Sequence, residues 1–156
     1  MKYNLNKLFL QTILLVFLVQ LFSCTAGSCF DETESRIKAT FYSMETGKAL
    51  APDSVTLYGI NMDTLKIYDK SVNLKSAEFP LYAAGTDCTF VIRINGINDT
   101  LEFSYTSYTH LLSKECGYTF FFNLDTTIHS INIIDSISFE KKTITTFNEE
   151  NLRIFF

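Results

Sequence analysis

The chain of 156 residues has no tryptophan and only six glycines and two prolines. Flexible linkers and low-complexity segments are rich in glycine and proline, so their scarcity excludes a largely disordered chain. Aromatic residues, by contrast, make up 15% of the chain, as 15 phenylalanines and 8 tyrosines. Aromatic side chains favour strands and packed interiors. The composition therefore indicates a packed, strand-rich domain.

Basic residues are also scarce, at 13 against 17 acidic residues. Two of them, Lys2 and Lys7, precede an apolar run that predicts a removable signal segment. Without these two lysines the chain has 11 basic and 17 acidic residues, a formal charge of −6. A negative surface repels phosphate backbones and anionic lipid headgroups. The sequence therefore predicts no nucleic-acid partner and no electrostatic docking to anionic membranes.

Sequence motifs for catalysis and metal binding are absent as well. The two histidines, His110 and His129, have no histidine or carboxylate beside them at ligand spacing, so a three-ligand zinc site is not predicted. The chain contains no G-x-S-x-G, no calcium loop of the D-x-D-x-D-G type and no supported S-x-x-K site. We therefore predict no catalytic residue, no metal and no cofactor.

The first 23 residues have the layout of a signal peptide. An uncharged, mostly apolar run from Leu8 to Phe22 follows the two lysines. This run is shorter than the roughly 20 apolar residues that span a bilayer as a helix, although the uncharged Ser23–Phe30 could extend it. A cleaved signal is therefore favoured over a membrane anchor, and residues 1–23 are predicted to be removed.

The residues that end this run, Leu21-Phe22-Ser23-Cys24, resemble a bacterial lipobox. The resemblance implies cleavage before the cysteine, a diacylglycerol thioether on the Cys24 sulfur and acylation of the new amine. Several acyl chains hold a small domain stably at a membrane, whereas a single chain does so only marginally. The alternative is ordinary secretion, with cleavage near Ser28 and loss of Cys24.

From Arg36 onward apolar residues alternate with polar ones, which is the period of half-buried strands. About eight short alternating segments follow, one of them at Ile131 and Ile133, and no window has a helical period. Antiparallel sheets with one solvated face show this pattern. We predict an all-β, antiparallel immunoglobulin-like β-sandwich of about eight strands in residues 35–156, behind a spacer at residues 24–34. A small β-barrel is the runner-up.

The stretch INGIND, Ile94–Asp99, places Asn-Gly between two alternating segments, which is a strong hairpin signal. A two-residue loop would set Ile92 opposite Asp99. A four-residue loop would set Ile92 opposite Leu101 and keep apolar faces together. The sequence therefore favours the longer loop.

Lipidation of Cys24 would leave three cysteines in an oxidising compartment, so one of them should be unpaired. Cys88 begins the apolar face of a predicted strand and is expected to be a buried free thiol that behaves as a small hydrophobe. Cys29 and Cys116 lie in loop-like sequence, and we predict a disulfide between them. A catalytic Cys116 activated by a histidine is the disfavoured alternative, because no family signature surrounds it.

Tyr42, Tyr58 and Phe121 fall on strand faces opposite the predicted core, whereas Tyr118 and Phe120 fall on the core side of their strand. Exposed aromatic side chains can anchor a protein interface or stack on sugar rings. Tyr42, Tyr58 and Phe121 are therefore candidates for a binding face. The favoured alternative is that they cover edges or fill secondary packing, since exposed apolar residues are common.

The stretches SCTAGSCFDE, SKECGYTFFFNL, SINIIDSIS and NLRIFF, with Glu115-Cys116-Gly117 among the most specific pieces, resemble a family of small uncharacterised lipoproteins of Bacteroidota, known as a domain of unknown function. The resemblance brings no activity, cofactor or catalytic residue. It implies a cell-envelope location in a diderm bacterium and strengthens the Cys29–Cys116 pairing. With Thr25 after the lipidated cysteine, it also implies transfer to the outer membrane.

These features predict a lipoprotein tethered to the outer membrane. The periplasmic face is favoured over the cell surface, because Asp31 and Glu32 lie rather far from Cys24 for a surface-export signal. Its expected role is a noncatalytic binding or structural module that contacts another envelope protein or a glycan through a sheet edge or an aromatic face. The alternative is a small envelope hydrolase or glycan-binding accessory protein, which a cleft joining His110 or His129 to a serine, cysteine or carboxylate would favour.

Overall fold

The structure, a computed structural model, describes Phe9 and residues 29–156. The chain divides into two units, Met1–Phe30 and Asp31–Phe156. Apart from Phe9, the predicted signal peptide lies outside the described residues, and so does the predicted lipidation site, Cys24. Among the residues that are described, no helix is long and apolar enough to cross a membrane.

Residues 31–156 are all-β, with two sheets of four and six strands, and this arrangement confirms the predicted β-sandwich. The described strands number ten instead of about eight; one of them, β9, has two residues, too few to show a period. The strands are β1 (Arg36–Tyr42), β2 (Val55–Gly59), β3 (Lys66–Ser71), β4 (Ser76–Pro80), β5 (Asp87–Ile94), β6 (Ile97–Ser113), β7 (Gly117–His129), β8 (Ser136–Phe139), β9 (Thr143–Ile144) and β10 (Leu152–Phe155).

The four-stranded sheet has the order β4-β1-β10-β8, and the six-stranded sheet has the order β3-β2-β5-β6-β7-β9. All paired strands are antiparallel except β1 and β10, which run parallel. The last strand therefore lies beside the first. This parallel pair is a departure from the purely antiparallel prediction.

The core lies between the two sheets, because each sheet turns one apolar face inward. On β1, Ile37, Ala39 and Phe41 are fully buried and alternate with outward polar side chains. Three phenylalanine rings form the aromatic centre: Phe79 of β4 lies 5.3 Å from Phe90 and 5.2 Å from Phe103 between centroids. These edge-to-face contacts cross from the four-stranded sheet to the six-stranded sheet and join the two layers.

The β5–β6 hairpin has the two-residue loop, so the longer loop favoured by the sequence is wrong. Ile92 lies opposite Asp99. Asn95 and Gly96 both have positive φ, 50° and 89°, which this tight turn requires and Asn-Gly provides at low cost. Turn chemistry therefore decides the register, and it places Asp99 at a core position.

Asp99 tolerates this position because the loop after β7 surrounds its carboxylate with hydrogen-bond donors. The residue is only 1% exposed. Its Oδ1 accepts hydrogen bonds from the Ser130 hydroxyl and from the backbone and side-chain N–H groups of Asn132. Its Oδ2 accepts from the backbone N–H groups of Ile133 and Ile134, at 2.8 and 2.9 Å. We call this loop, residues 130–134, the carboxylate loop.

The carboxylate loop also explains why the strand predicted at Ile131 and Ile133 is wrong. The backbone N–H groups of this segment point at Asp99 and not at a neighbouring strand. Burial alone would raise the pKa of Asp99. The hydrogen bonds from Ser130 and from the backbone of the loop outweigh burial and lower the pKa of Asp99 below its ordinary value.

At the other end of the sheet, β6 and β7 continue as a two-stranded arm. The pairing of β5 with β6 ends at Ser104, whereas β6 and β7 stay paired as far as Ser113 and Gly117. Tyr118 and Phe120, which alternation assigns to the core side, are therefore 72% and 46% exposed. The alternation identifies the face correctly but does not show where the opposing sheet ends.

Candidate functional site

A polar groove lies on the outer face of the four-stranded sheet. Because Ile37 and Ala39 of β1 point into the core, Arg36 and Lys38 point outward. Lys38 is the cross-strand partner of Glu78 on β4. These three charged side chains line the groove on the side of the sheet.

Two loop segments complete the groove, which has a volume of about 360 Å³. One is the segment ahead of β1, which contributes Glu32 and Glu34, and the other is residues 145–148 between β9 and β10. Asn151 fixes the second segment to β1, since its Oδ1 accepts a hydrogen bond from the backbone N–H of Lys38 at 2.9 Å. We call this surface the charged groove.

Some of the charged side chains in the groove bind to one another or to a neighbouring amide. Arg36 forms an ion pair with Glu34, and Lys38 Nζ donates to Asn148 Oδ1 at 2.6 Å. The hydrogen bond to Glu34 is the main reason that the pKa of Arg36 is raised. The two remaining glutamates bring the groove to three carboxylates against two cations. Drug-like small molecules prefer mainly apolar pockets, so this lining fits a polar or charged chain better.

Phe147 lines the groove, with 72% of its surface exposed. Its backbone N–H donates to Thr145 Oγ1 at 3.2 Å, and its carbonyl accepts from the Glu149 N–H at 2.9 Å. The turn therefore presents an aromatic ring to solvent from a hydrogen-bonded backbone. Phe147 is not among the binding residues predicted from the sequence, although a lone aromatic residue within TTFNEEN is a signal for such a position.

Tyr42, at the end of β1, lies on the same face of the sheet and belongs to a side-chain network. Its ring is 5.5 Å from that of Phe155 between centroids and 5.1 Å from the Arg153 guanidinium. Its hydroxyl donates to Glu150 at 3.2 Å, and Arg153 forms ion pairs with Glu140 and Glu150. Hydrogen bonding to Glu150 raises the pKa of Arg153. Tyr42 thus holds β1 against β10 and leaves only part of its surface for a partner.

Tyr58 and Phe121 lie on the other sheet, so the three predicted aromatic residues do not form one face. Tyr58 is on β2 and Phe121 on β7, with two strands between them. Phe121 is only 7% exposed. His110 stacks on its ring at 4.2 Å, and Tyr108 meets it edge-on at 6.0 Å. Phe121 is therefore covered and does not serve as an exposed anchor.

The cysteines divide into one pair and one free thiol in the described part of the chain. Cys29 and Cys116 form the predicted disulfide. Cys88 is free, partly buried and packed against the core. Burial is the main cause that raises the pKa of its thiol to about 12. Because the thiolate is the nucleophilic form, Cys88 is inert near neutral pH.

The two histidines contact a backbone carbonyl and an aromatic ring. His129 Nδ1 lies 2.8 Å from the carbonyl oxygen of Ser130, and His110 stacks on Phe121. Within Phe9 and residues 29–156, no group of three or more histidine, cysteine, aspartate or glutamate side chains is placed to hold a metal ion. The charged groove brings cations, carboxylates and an exposed aromatic ring to one concave surface, through which it can bind another molecule.

No curated protein and no solved structure matches the chain significantly. A family model, described as a family of unknown function (DUF6452), matches residues 54–156. The match begins just before β2 and includes Phe147, Asn148 and the carboxylate loop, while β1 lies ahead of it. Since the match covers most of the chain, the protein belongs to the family of unknown function DUF6452.

Proposed function

We propose that the protein is a lipid-anchored, noncatalytic binding module of the cell envelope that holds another envelope component in the charged groove. The observation that carries this proposal is an exposed aromatic ring, Phe147, beside side chains of both signs. Interfaces use aromatic residues as anchors, and complementary charges fix the orientation and choice of the partner. A polar segment of an envelope protein is the proposed occupant.

The proposed tether is an acylated Cys24 in the outer membrane, with the domain on the periplasmic face. The lipobox resemblance of Leu21–Cys24 supports acylation. Confinement to a membrane raises the local concentration of the module near other envelope components. A groove with low affinity for its partner is therefore sufficient for binding.

A small envelope hydrolase is less well supported by the geometry. The raised pKa of Cys88 opposes nucleophilic chemistry at that thiol, and the contacts of His110 and His129 are with a ring and a carbonyl oxygen. A glycan is the second candidate occupant of the groove, because an exposed phenylalanine next to carboxylates, hydroxyls and an amide also suits a sugar chain.

In-cell photocrosslinking from position 147 tests the groove. We expect a photoreactive phenylalanine analogue at Phe147 to capture one envelope component reproducibly from the tethered protein. The same analogue at Leu65, which is 73% exposed in the β2–β3 loop of the other sheet, should not capture it. The mass of the adduct distinguishes a peptide from a sugar chain.

Charge reversals provide the matched control for this experiment. Lys38→Glu changes a cation of the groove, and we expect it to abolish capture from position 147. Lys66→Glu changes a cation on β3 that is paired with Asp69, and we expect capture to persist. Equal capture from positions 147 and 65, or capture that survives Lys38→Glu, would contradict the proposal.

A further inference from the structure

The β6–β7 arm exposes three large side chains on one face. Leu111 and Tyr118 are cross-strand partners, and Phe120 lies two residues farther along the same face. These three residues are 50%, 72% and 46% exposed. The same face carries Phe122, which is buried in the core. The apolar face of the sheet therefore continues along the arm into solvent, and contiguous apolar surface of this kind marks a contact site.

An open cleft of about 440 Å³ widens this apolar surface at the base of the arm. Phe120 and Phe122 line the cleft from β7, and Pro80 and Leu81 line it from the end of β4. Glu34 and Arg36 also line this cleft, so the exposed apolar patch of the arm ends there at charged side chains.

The N-terminal segment of the domain lies at the tip of the same arm. Cys116, in the turn between β6 and β7, has its Sγ atom 3.7 Å from the Asp31 carboxylate. The hydroxyl of Thr119 donates a hydrogen bond to the carbonyl oxygen of Thr33. Asp31, with which this unit begins, therefore lies at the tip of the arm.

The covalent connections limit how far a lipid on Cys24 could be from this tip. Cys29 is joined to Cys116 by the disulfide. The five-residue step from Cys24 to Cys29 spans at most about 18 Å when fully extended. Acyl chains on Cys24 would therefore bring a bilayer within a short distance of the arm.

The chemistry of the tip suits an uncharged membrane interface. The turn contains one cation and one anion, Lys114 and Glu115, and Asp31 adds a second carboxylate beside Cys116, so the tip is not the basic cluster that recognises anionic lipid. Tyr118 is the most exposed residue of the patch. Tyrosine has an apolar ring and a polar hydroxyl, and it is enriched where lipid meets water.

We infer that the β6–β7 arm inserts Leu111, Tyr118 and Phe120 into the interface of the bilayer that holds the lipid anchor. This contact holds the domain at the membrane in one orientation. This inference rests on the proposed acylation of Cys24. The patch is too small to bind a membrane alone, and the tether supplies the proximity that it needs.

A single-tryptophan reporter tests the inference, because the chain contains no tryptophan. Tyr118→Trp places the reporter in the patch. Ile131→Trp is the control, because Ile131 is 80% exposed and lies at the opposite end of the domain. Its neighbour Ser130 bonds to Thr100 near the start of β6, about 35 Å along the strand from Leu111, the partner of Tyr118.

Both full-length variants are produced with their own signal segment, and the mature proteins are placed in phosphatidylcholine vesicles with or without bromine on the upper acyl chain. We expect brominated lipid to quench the Tyr118→Trp emission by half or more, and raised salt to leave this quenching unchanged. The Ile131→Trp emission should not respond to the bromine.

Mass spectrometry of the same samples tests the acylation of Cys24 separately from the contact between the arm and the membrane. If Cys24 is acylated and neither reporter is quenched, the inference about the arm is overturned and the lipoprotein proposal stands. Equal quenching of both reporters would also overturn the single orientation. If Cys24 is not acylated, both proposals fail together.

Discussion

Replacing Asp99 with alanine is expected to lower the free energy of unfolding by about 3–5 kcal/mol, measured by urea denaturation. Hydrogen bonds to a charged group contribute about 1.5–3 kcal/mol each, and every buried donor left without a partner costs about 1–3 kcal/mol. The substitution removes the acceptor for the backbone N–H groups of Ile133 and Ile134 at once. The carboxylate loop would then lose its attachment to β6.

The isosteric change Asp99→Asn tests the charge separately from the shape. Because the pKa of Asp99 is lowered by folding, its carboxylate stabilises the native state fully above about pH 5 and loses this effect as the pH falls below the ordinary value of about 3.9. The stability of Asp99→Asn should therefore fall less steeply in acid than that of the natural protein.

The exposed carboxylate of Glu102, on the same strand, provides the matched control. Glu102→Ala is expected to change stability by no more than about 0.5 kcal/mol. An equal effect of Asp99→Ala and Glu102→Ala would show that the carboxylate loop does not depend on Asp99.

Loss of the Cys29–Cys116 disulfide is expected to lower the free energy of unfolding by up to about 4–5 kcal/mol in the chain-entropy model, which applies here to a closed loop of about 90 residues. The bond restricts the unfolded chain, whereas the reduced native state regains freedom only in the short segment ahead of β1. The measured loss should therefore lie somewhat below the model figure. Urea denaturation with and without reductant gives the value.

Single and double substitutions show whether these two cysteines stabilise the domain through one bond. Cys29→Ser, Cys116→Ser and the double variant should lose the same stability, because each removes the same disulfide. Additive losses would mean that the two side chains act independently. Addition of reductant to the double variant should cause no further loss, since Cys88 is already free and the proposed acylation occupies the sulfur of Cys24.

The sequence predicts the β-sandwich well because alternation reports burial directly. On β1, outward polar side chains alternate with Ile37, Ala39 and Phe41, which are fully buried. Asn95-Gly96 likewise marks the place of the β5–β6 turn, because a tight turn depends on two adjacent residues, although the sequence favours the wrong loop length there. These features are local, and local chemistry is sufficient to produce them.

The predictions from sequence are wrong where a segment distant in the chain changes the free energy of burying a residue. The longer hairpin loop keeps apolar faces together, and it is favoured only if Asp99 must avoid the core. The carboxylate loop, about 30 residues farther along the chain, removes this penalty by surrounding the carboxylate with donors. Sequence patterns do not show that pairing.

The candidate site was difficult to predict for the same reason. The charged groove combines residues 32–38, Glu78 and residues 145–148, which meet only because β1 pairs with both β4 and β10. The predicted face of Tyr42, Tyr58 and Phe121 fails because alternation gives the side of a strand but not the sheet to which the strand belongs. The position of Cys116 at the tip of the arm likewise emerges only from the pairing of β6 with β7.

The mass of the mature N-terminal peptide, taken from protein made in a diderm bacterium, is the most direct test of the proposed anchor. We predict a peptide that begins at Cys24 and carries a diacylglycerol thioether together with an acyl chain on its amine. A mature chain that begins at unmodified Ser28 would contradict lipid anchoring, and with it the proposed contact between the arm and the membrane.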